Sequence, residues 1–187
     1  MRRKDREMGK DFALQVIDNS SYGIVSMISG EKEPHGIPLS IARDENILYF
    51  HSAKEGEKVS IFEKISDVSV VFVGQVSVPE IYTKEELDEI LQKESKESLL
   101  TSSVFTTEFE SAIVKGKIKL VKDKEERLKG MRLICQKYTP KMMDYFNMAI
   151  CAGLEKTNIY KIEIEEITAK RKKFDKNGEE MKWGRFE

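Results

Sequence analysis

The stretch Tyr49-Phe50-His51-Ser52-Ala53-Lys54-Glu55-Gly56-Glu57-Lys58 decides the reading of this chain. An apolar pair runs into a polar, glycine-containing turn, and the residues that follow carry Val59, Ile61, Phe62 and Ile65 at helical spacing. The pattern predicts a strand that ends in a turn and opens a helix. A helix N-terminus presents unpaired N–H groups and the positive end of its dipole, which suits a phosphate. His51, Ser52, the Gly56 backbone and Lys58 fall within reach of one small volume there, with Lys58 as a mobile point charge. Glu55 and Glu57 share the turn and oppose an anion unless they point outward.

Upstream of that turn, residues 11–19 read as a helix with Phe12, Val16 and Ile17 on one side. Residues 22–28, 37–42 and 47–51 read as three strands of an antiparallel meander, and Pro34 and Pro38 give the middle one an edge position or an irregular start. Downstream, 58–65 is a short helix and 68–78 a nearly unbroken apolar strand. Residues 83–98 form a charged surface helix or excursion, and 105–121 a long strand with a bend or bulge at Gly116. Asp123 opens a helix to about Tyr138, and Pro140 opens another through about Ala152. In the last strand, 158–169, Tyr160, Ile162 and Ile164 alternate with Lys161, Glu163 and Glu165, and the first set is assigned inward. Ile167 falls out of that phase, so the strand is expected to bend or end near Glu166. The sum is a mainly β fold with flanking helices, a six-stranded antiparallel closed or split β-barrel. It forms one domain over residues 1–169, with a charged C-terminal tail over 170–187.

Composition narrows the partners. Charged residues make up 35% of the 187, but 32 basic and 33 acidic side chains leave a net charge of -1, which offers no electrostatic footprint for nucleic acid. No apolar run reaches the ~20 residues of a membrane span. The basic N-terminus has no apolar signal core behind it, and Cys135 and Cys151 lie far apart, so a reducing cytoplasm is expected. Neither cysteine, nor any His, Asp or Glu set, has metal-ligand spacing, so no metal is expected. Met142, Met143 and Met148 read as adaptable core filler. His35, beside Pro34, reads as plain surface.

Taken in order, Met1-Arg2-Arg3-Lys4-Asp5-Arg6-Glu7, Tyr22-Gly23, Gly36-Ile37-Pro38-Leu39-Ser40, the 49–58 stretch and Phe109-Glu110-Ser111 resemble flavin-binding split-barrel proteins related to pyridoxamine 5′-phosphate oxidase, above all their nitroimidazole-resistance (nitroimidazole reductase) branch. The resemblance covers roughly residues 1–169. It implies a homodimer with flavin mononucleotide (FMN) in grooves between subunits. Pro38, Leu39, Ser40 and Ile41 would lie along the flavin ring, and His51, Ser52, Ala53, Gly56 and Lys58 would hold the 5′-phosphate. Thr107, Glu110 and Ser111 would line the site, in part from the neighbouring subunit. Phe109 replaces a tyrosine common among relatives, which removes a phenol donor. Trp183 and Arg185 are similar to residues near the end of the oxidases, although a frayed tail accounts for them as well.

The function this implies is an FMN-dependent oxidoreductase. It would take electrons from a reduced donor and pass them to a small acceptor such as a nitroimidazole or another nitroaromatic compound, with His51 as the contact to substrate or flavin. No catalytic triad is expected, because the cofactor carries the chemistry. The competing readings are a non-catalytic flavin carrier or sensor, and a haem-handling split barrel in which His51 or His35 ligates iron.

Overall fold

A computed structural model describes residues 2–30, 32–93 and 97–186. In chain order the elements are β1 (Glu7–Met8), α1 (Lys10–Asn19), β2 (Gly23–Ile28), β3 (Pro34–Leu39), β4 (Ala42–Asp44), β5 (Ile47–Ala53), α2 (Glu57–Phe62) and β6 (Asp67–Ser77). There follow α3 (Lys84–Lys93), α4 (Glu97–Leu99) running into a π turn (Leu100–Val104), β7 (Glu108–Leu120) and α5 (Lys124–Tyr138). A 3₁₀ segment (Pro140–Tyr145), α6 (Phe146–Gly153) and β8 (Thr157–Lys172) complete the fold. One eight-stranded sheet runs in the order β3-β2-β6-β7-β8-β5-β4, with β1 added on β8, and every pairing is antiparallel.

Sequence reading expects six strands and a meander, and both change. The predicted second strand splits: β3 pairs only with β2 at one edge, while the short β4 pairs only with β5 at the other. Pro34 and Pro38 lack the N–H groups that a second neighbour would need, which confines β3 to an edge. Yet only Ser40 and Ile41 connect the two edges, and three Cα steps reach at most about 11 Å. The sheet therefore rolls until its edges lie side by side without pairing, a split barrel whose seam is at Ser40–Ile41. The two-residue β1 accounts for the other added strand.

The concave face carries Val25, Met27, Val70, Phe72, Val114, Phe50 and Ile162, and α1 seals it with Phe12, Val16 and Ile17. Phe50, Phe62 and Tyr160 stack with centroids 5.1–5.8 Å apart, which pins α2 to the end of β5. A second cluster lies on the opposite side of β4, β5 and β8, where Ile134 of α5 packs with Tyr49 and Ile159. Asp123 caps α5 by accepting a hydrogen bond from the Glu126 amide at 2.8 Å.

Gly116 lies at a bulge, as a glycine inside a long strand predicts. Lys115 pairs with Glu166 and Gly116 with Ile164, leaving Glu165 unpaired. One extra residue inverts the period-two phase, so Ile167, Ala169 and Arg171 return to the inner face. The strand bends there and continues to Lys172, so residues 170–187 are not a free tail. Phe174 and Met181 are buried, the Trp183 amide donates to the Asp5 carbonyl at 2.7 Å, and Arg6 pairs with Glu180. The methionine reading fails for two of its three residues: Met142 in the 3₁₀ segment and Met148 on α6 are 58% and 74% exposed, whereas Met143 is half-buried.

Candidate flavin site

The turn after β5 is built as its sequence predicts, with one qualification. Alternation along β5 sends Phe50 and Ser52 inward and His51 and Ala53 outward. Ser52 is buried, and its hydroxyl donates to the Ala53 carbonyl at 2.7 Å, so it braces the turn from beneath and does not face the same side as His51. His51 lies at the surface, yet burial of part of its ring lowers its pKa, and the positive charge of Lys58 lowers it further. Gly56 precedes α2 with φ of +125°, a region L side chains rarely adopt, and a Cβ there would have open space around it. Val59 and Ser60 donate to the Gly56 carbonyl at 3.0 and 3.2 Å, so the first helical N–H groups, those of Glu57 and Lys58, have no acceptor inside the helix. Glu57 is drawn away from them: its carboxylate lies 3.7 Å from His35 Nε2 on β3.

The other candidates lie at the seam and far along the sheet. Pro38 and Ser40 are exposed beside the seam and Leu39 is half-buried. Ile41 is different. Its side chain is wholly buried, its amide donates to the Tyr138 hydroxyl at 2.9 Å, and its carbonyl accepts from Lys137 Nζ at 2.9 Å and the Tyr138 hydroxyl at 3.0 Å. Ile41 is an anchor between the seam and α5 and has no free group for a ligand. Thr107 is exposed just before β7, Glu110 lies on the inner face over Gly74, and Ser111 lies on the outer face opposite Val73 and Lys170. Ser111 pairs with Lys170, whereas His51 pairs with Ile159. Eleven residues of β8, roughly 36 Å of extended strand, separate them along the sheet. A single chain keeps the two groups apart.

Residues 10–171 match the family described as pyridoxamine 5′-phosphate oxidase. The chain belongs to that family. Solved structures share the fold at low identity. A candidate 5-nitroimidazole antibiotic resistance protein from Bacteroides thetaiotaomicron is 19% identical over 87% of this chain and 84% of its own, with a TM-score of 0.65. An FAD and heme binding protein from Mycobacterium smegmatis is 13% identical over 89% and 73%, with a TM-score of 0.66. An FAD-binding protein from Mesorhizobium loti is 17% identical over 89% and 96%, with a TM-score of 0.55. No curated protein matches the sequence.

In this pyridoxamine 5′-phosphate oxidase family member, one wide cavity lies away from the turn. It measures about 1050 Å³ and runs over the outer face of the sheet, where Ser26, Gly36, Ser69, Lys115 and Glu166 stand in one cross-strand row. A second, of about 450 Å³, lies between the β2–β3 hairpin and α2. His35 lines both and faces Glu57, so it is part of the surroundings of the turn and not the plain surface its neighbours suggest. No local pattern reveals this, because His35 and Glu57 meet only once the sheet has rolled. Arg171 and Lys172 were equally hidden. Both are buried cations, Arg171 on the inner face, and each has its pKa lowered first by burial.

Proposed function

We propose that this protein is an FMN-dependent oxidoreductase that works as a homodimer in the cytoplasm and reduces small acceptors such as nitroimidazoles or other nitroaromatic compounds. The observation that carries the reading is the turn 51–58 in a chain of this family. His51 is exposed at the end of β5, Lys58 and the first amides of α2 follow within the same turn, and the carboxylate of Glu57 lies 3.7 Å from His35. The residues fit a phosphate ester: the backbone amides would donate, Lys58 would supply charge, and Gly56 would let the chain turn away from the anion. Pro38 and Ser40 would flank the ring at the seam. When bound, the flavin supplies the redox chemistry, and the protein supplies placement, charge and access.

Two observations support the dimer. The outer face of the sheet presents an apolar row in register, Pro38, Ile24, Val71 and Ile113, with Ile28, Val73 and Val76 exposed around it. A second copy on that face would also bring the partner's equivalents of Thr107 and Ser111 toward the seam, which the chain's own β7 does not reach. Ile113→Lys, which places a charge in that face, is expected to weaken self-association by about 3 kcal/mol, roughly a hundredfold. Sedimentation velocity across a dilution series checks it, and an unchanged dimer would move the interface elsewhere.

The direct test is an absorbance spectrum. Purified protein, as isolated or after addition of FMN, should show flavin bands that a reduced nicotinamide donor bleaches and a nitroimidazole restores. Colourless protein that ignores added FMN would overturn the reading. Bands that no donor bleaches would leave a carrier or sensor, and a Soret band on haem addition would favour the haem-handling alternative.

A further inference from the structure

Between α5, the 3₁₀ segment Pro140–Tyr145 and α6 lies a cavity of about 310 Å³ that the proposed function does not use. Met131, Met142, Met143, Phe146, Ile150 and Leu154 form most of its wall. Its two threonine hydroxyls are committed, Thr139 Oγ1 donating to the Cys135 carbonyl at 3.0 Å and Thr157 Oγ1 to the Gly153 carbonyl at 3.3 Å, and its third hydroxyl belongs to Tyr145, which is largely exposed. No lining side chain is charged, whereas the rim carries exposed Lys141, Asp144 and Asn147. An anion or a strongly hydrated ligand would therefore lose its water shell with nothing in exchange.

We propose that this cavity is a binding site for a small, uncharged aromatic molecule. Its volume is about twice the 150 Å³ that accepts one benzene in an engineered apolar core, which suits one or two rings and is too short for a long alkyl chain. Thioethers make favourable contacts with aromatic rings and adapt to their outline, and three of them face this space. Phe146 is held rigid for the purpose. Its ring is buried, and the Arg132 guanidinium stands 4.4 Å from its centroid. The cavity reaches the sheet at Thr157, the register partner of Ala53 in the turn, so its floor adjoins the candidate flavin site without sharing a residue with it. It also lies beside α5, which packs over β4, β5 and β8, whereas the apolar row assigned to the second subunit runs over β3, β2, β6 and β7. The site goes beyond the flavin reading and does not require it.

Cys135 lines the cavity and reports on it. In flavin-free full-length protein with Cys151→Ser, Cys135 is the only thiol, and its rate of reaction with a maleimide is followed at increasing nitrobenzene. The rate is expected to fall by roughly tenfold when the probe stands at about ten times its dissociation constant. Benzoate, the same ring with a charge, is expected to leave the rate unchanged. Met142→Lys should remove the protection while preserving the fold, since Met142 is 58% exposed. If Cys135 reacts too slowly to follow, the ε-methyl resonances of Met131, Met142 and Met143 should shift with nitrobenzene and not with benzoate. Equal rates with and without nitrobenzene, equal protection by benzoate, or protection that survives Met142→Lys would overturn the proposal. So would a rate that follows protein concentration and ignores the probe, which would mean that a second copy covers the cavity. Because no flavin is present, failure here leaves the FMN reading standing, and failure of the FMN reading leaves this one.

Discussion

Lys58→Ala is expected to weaken FMN binding by roughly 1.5–3 kcal/mol, about ten- to a hundred-and-fifty-fold in Kd, with little loss of fold. The magnitude is that of a charge-assisted hydrogen bond to a phosphate whose other contacts remain. Lys58 is half-buried and takes no part in either hydrophobic cluster, so its truncation removes charge and not packing. The control is riboflavin, which has the same ring and no phosphate. Its affinity should be nearly the same for both proteins, so the ratio of the two Kd values isolates the turn. A fluorescence titration reads both. Equal losses for FMN and riboflavin would mean that Lys58 acts through the fold, and no loss for either would remove it from the site.

Gly116→Ala is the larger structural perturbation. A Cβ at Gly116 would stand 2.1 Å from the Glu163 carbonyl oxygen and 3.0 Å from both the Glu163 carbonyl carbon and Ile162 Cγ2. The obstacle is backbone of the neighbouring strand at the bulge, so no side-chain rotation relieves it. β7 and β8 must separate locally, at the expense of ladder hydrogen bonds and of the inverted phase that returns Ile167 and Ala169 to the core. A cost of about 3 kcal/mol or more is expected, which lowers Tm by roughly 6–12 °C in a domain of this size. Thermal unfolding monitored by circular dichroism would settle it; a Tm within a degree or two of the parent would mean that the ladder accommodates the methyl group. Gly56 offers the contrast. A methyl group there meets nothing within 4 Å, so substitution would cost only the strain of φ at +125°.

What could be read in advance was whatever local chemistry dictates. The helix opened by Asp123 is legible because the aspartate at its start has an acidic first turn after it, and its side chain does cap the Glu126 amide. The bulge at Gly116 is legible because a glycine interrupts a long strand. The strand–turn–helix order around residues 51–58 is legible because Gly56 and Lys58 sit where strand gives way to helix. The errors are of another kind. The meander fails because strand order is a long-range property: residues 37–42 look like one strand until the two edges of a rolled sheet claim its two ends. Residues 170–187 look like a solvated tail because charge dominates them, yet the bulge at Glu165 turns Arg171 inward and the following segment folds back over it. Ile41 looks like one more residue along a ligand-facing strand, but Tyr138 and Lys137, almost a hundred positions away, take both of its backbone groups.

By itself, the sequence determined the strand and helix types, the turn between β5 and α2 and the family, because each rests on side chains within a few positions of one another. Only the tertiary structure decided where the barrel splits, that Glu57 turns to His35, and that Thr107 and Ser111 lie some eleven strand residues from His51. Those facts depend on which edges a twisted sheet brings together, and no run of neighbouring residues encodes that closure.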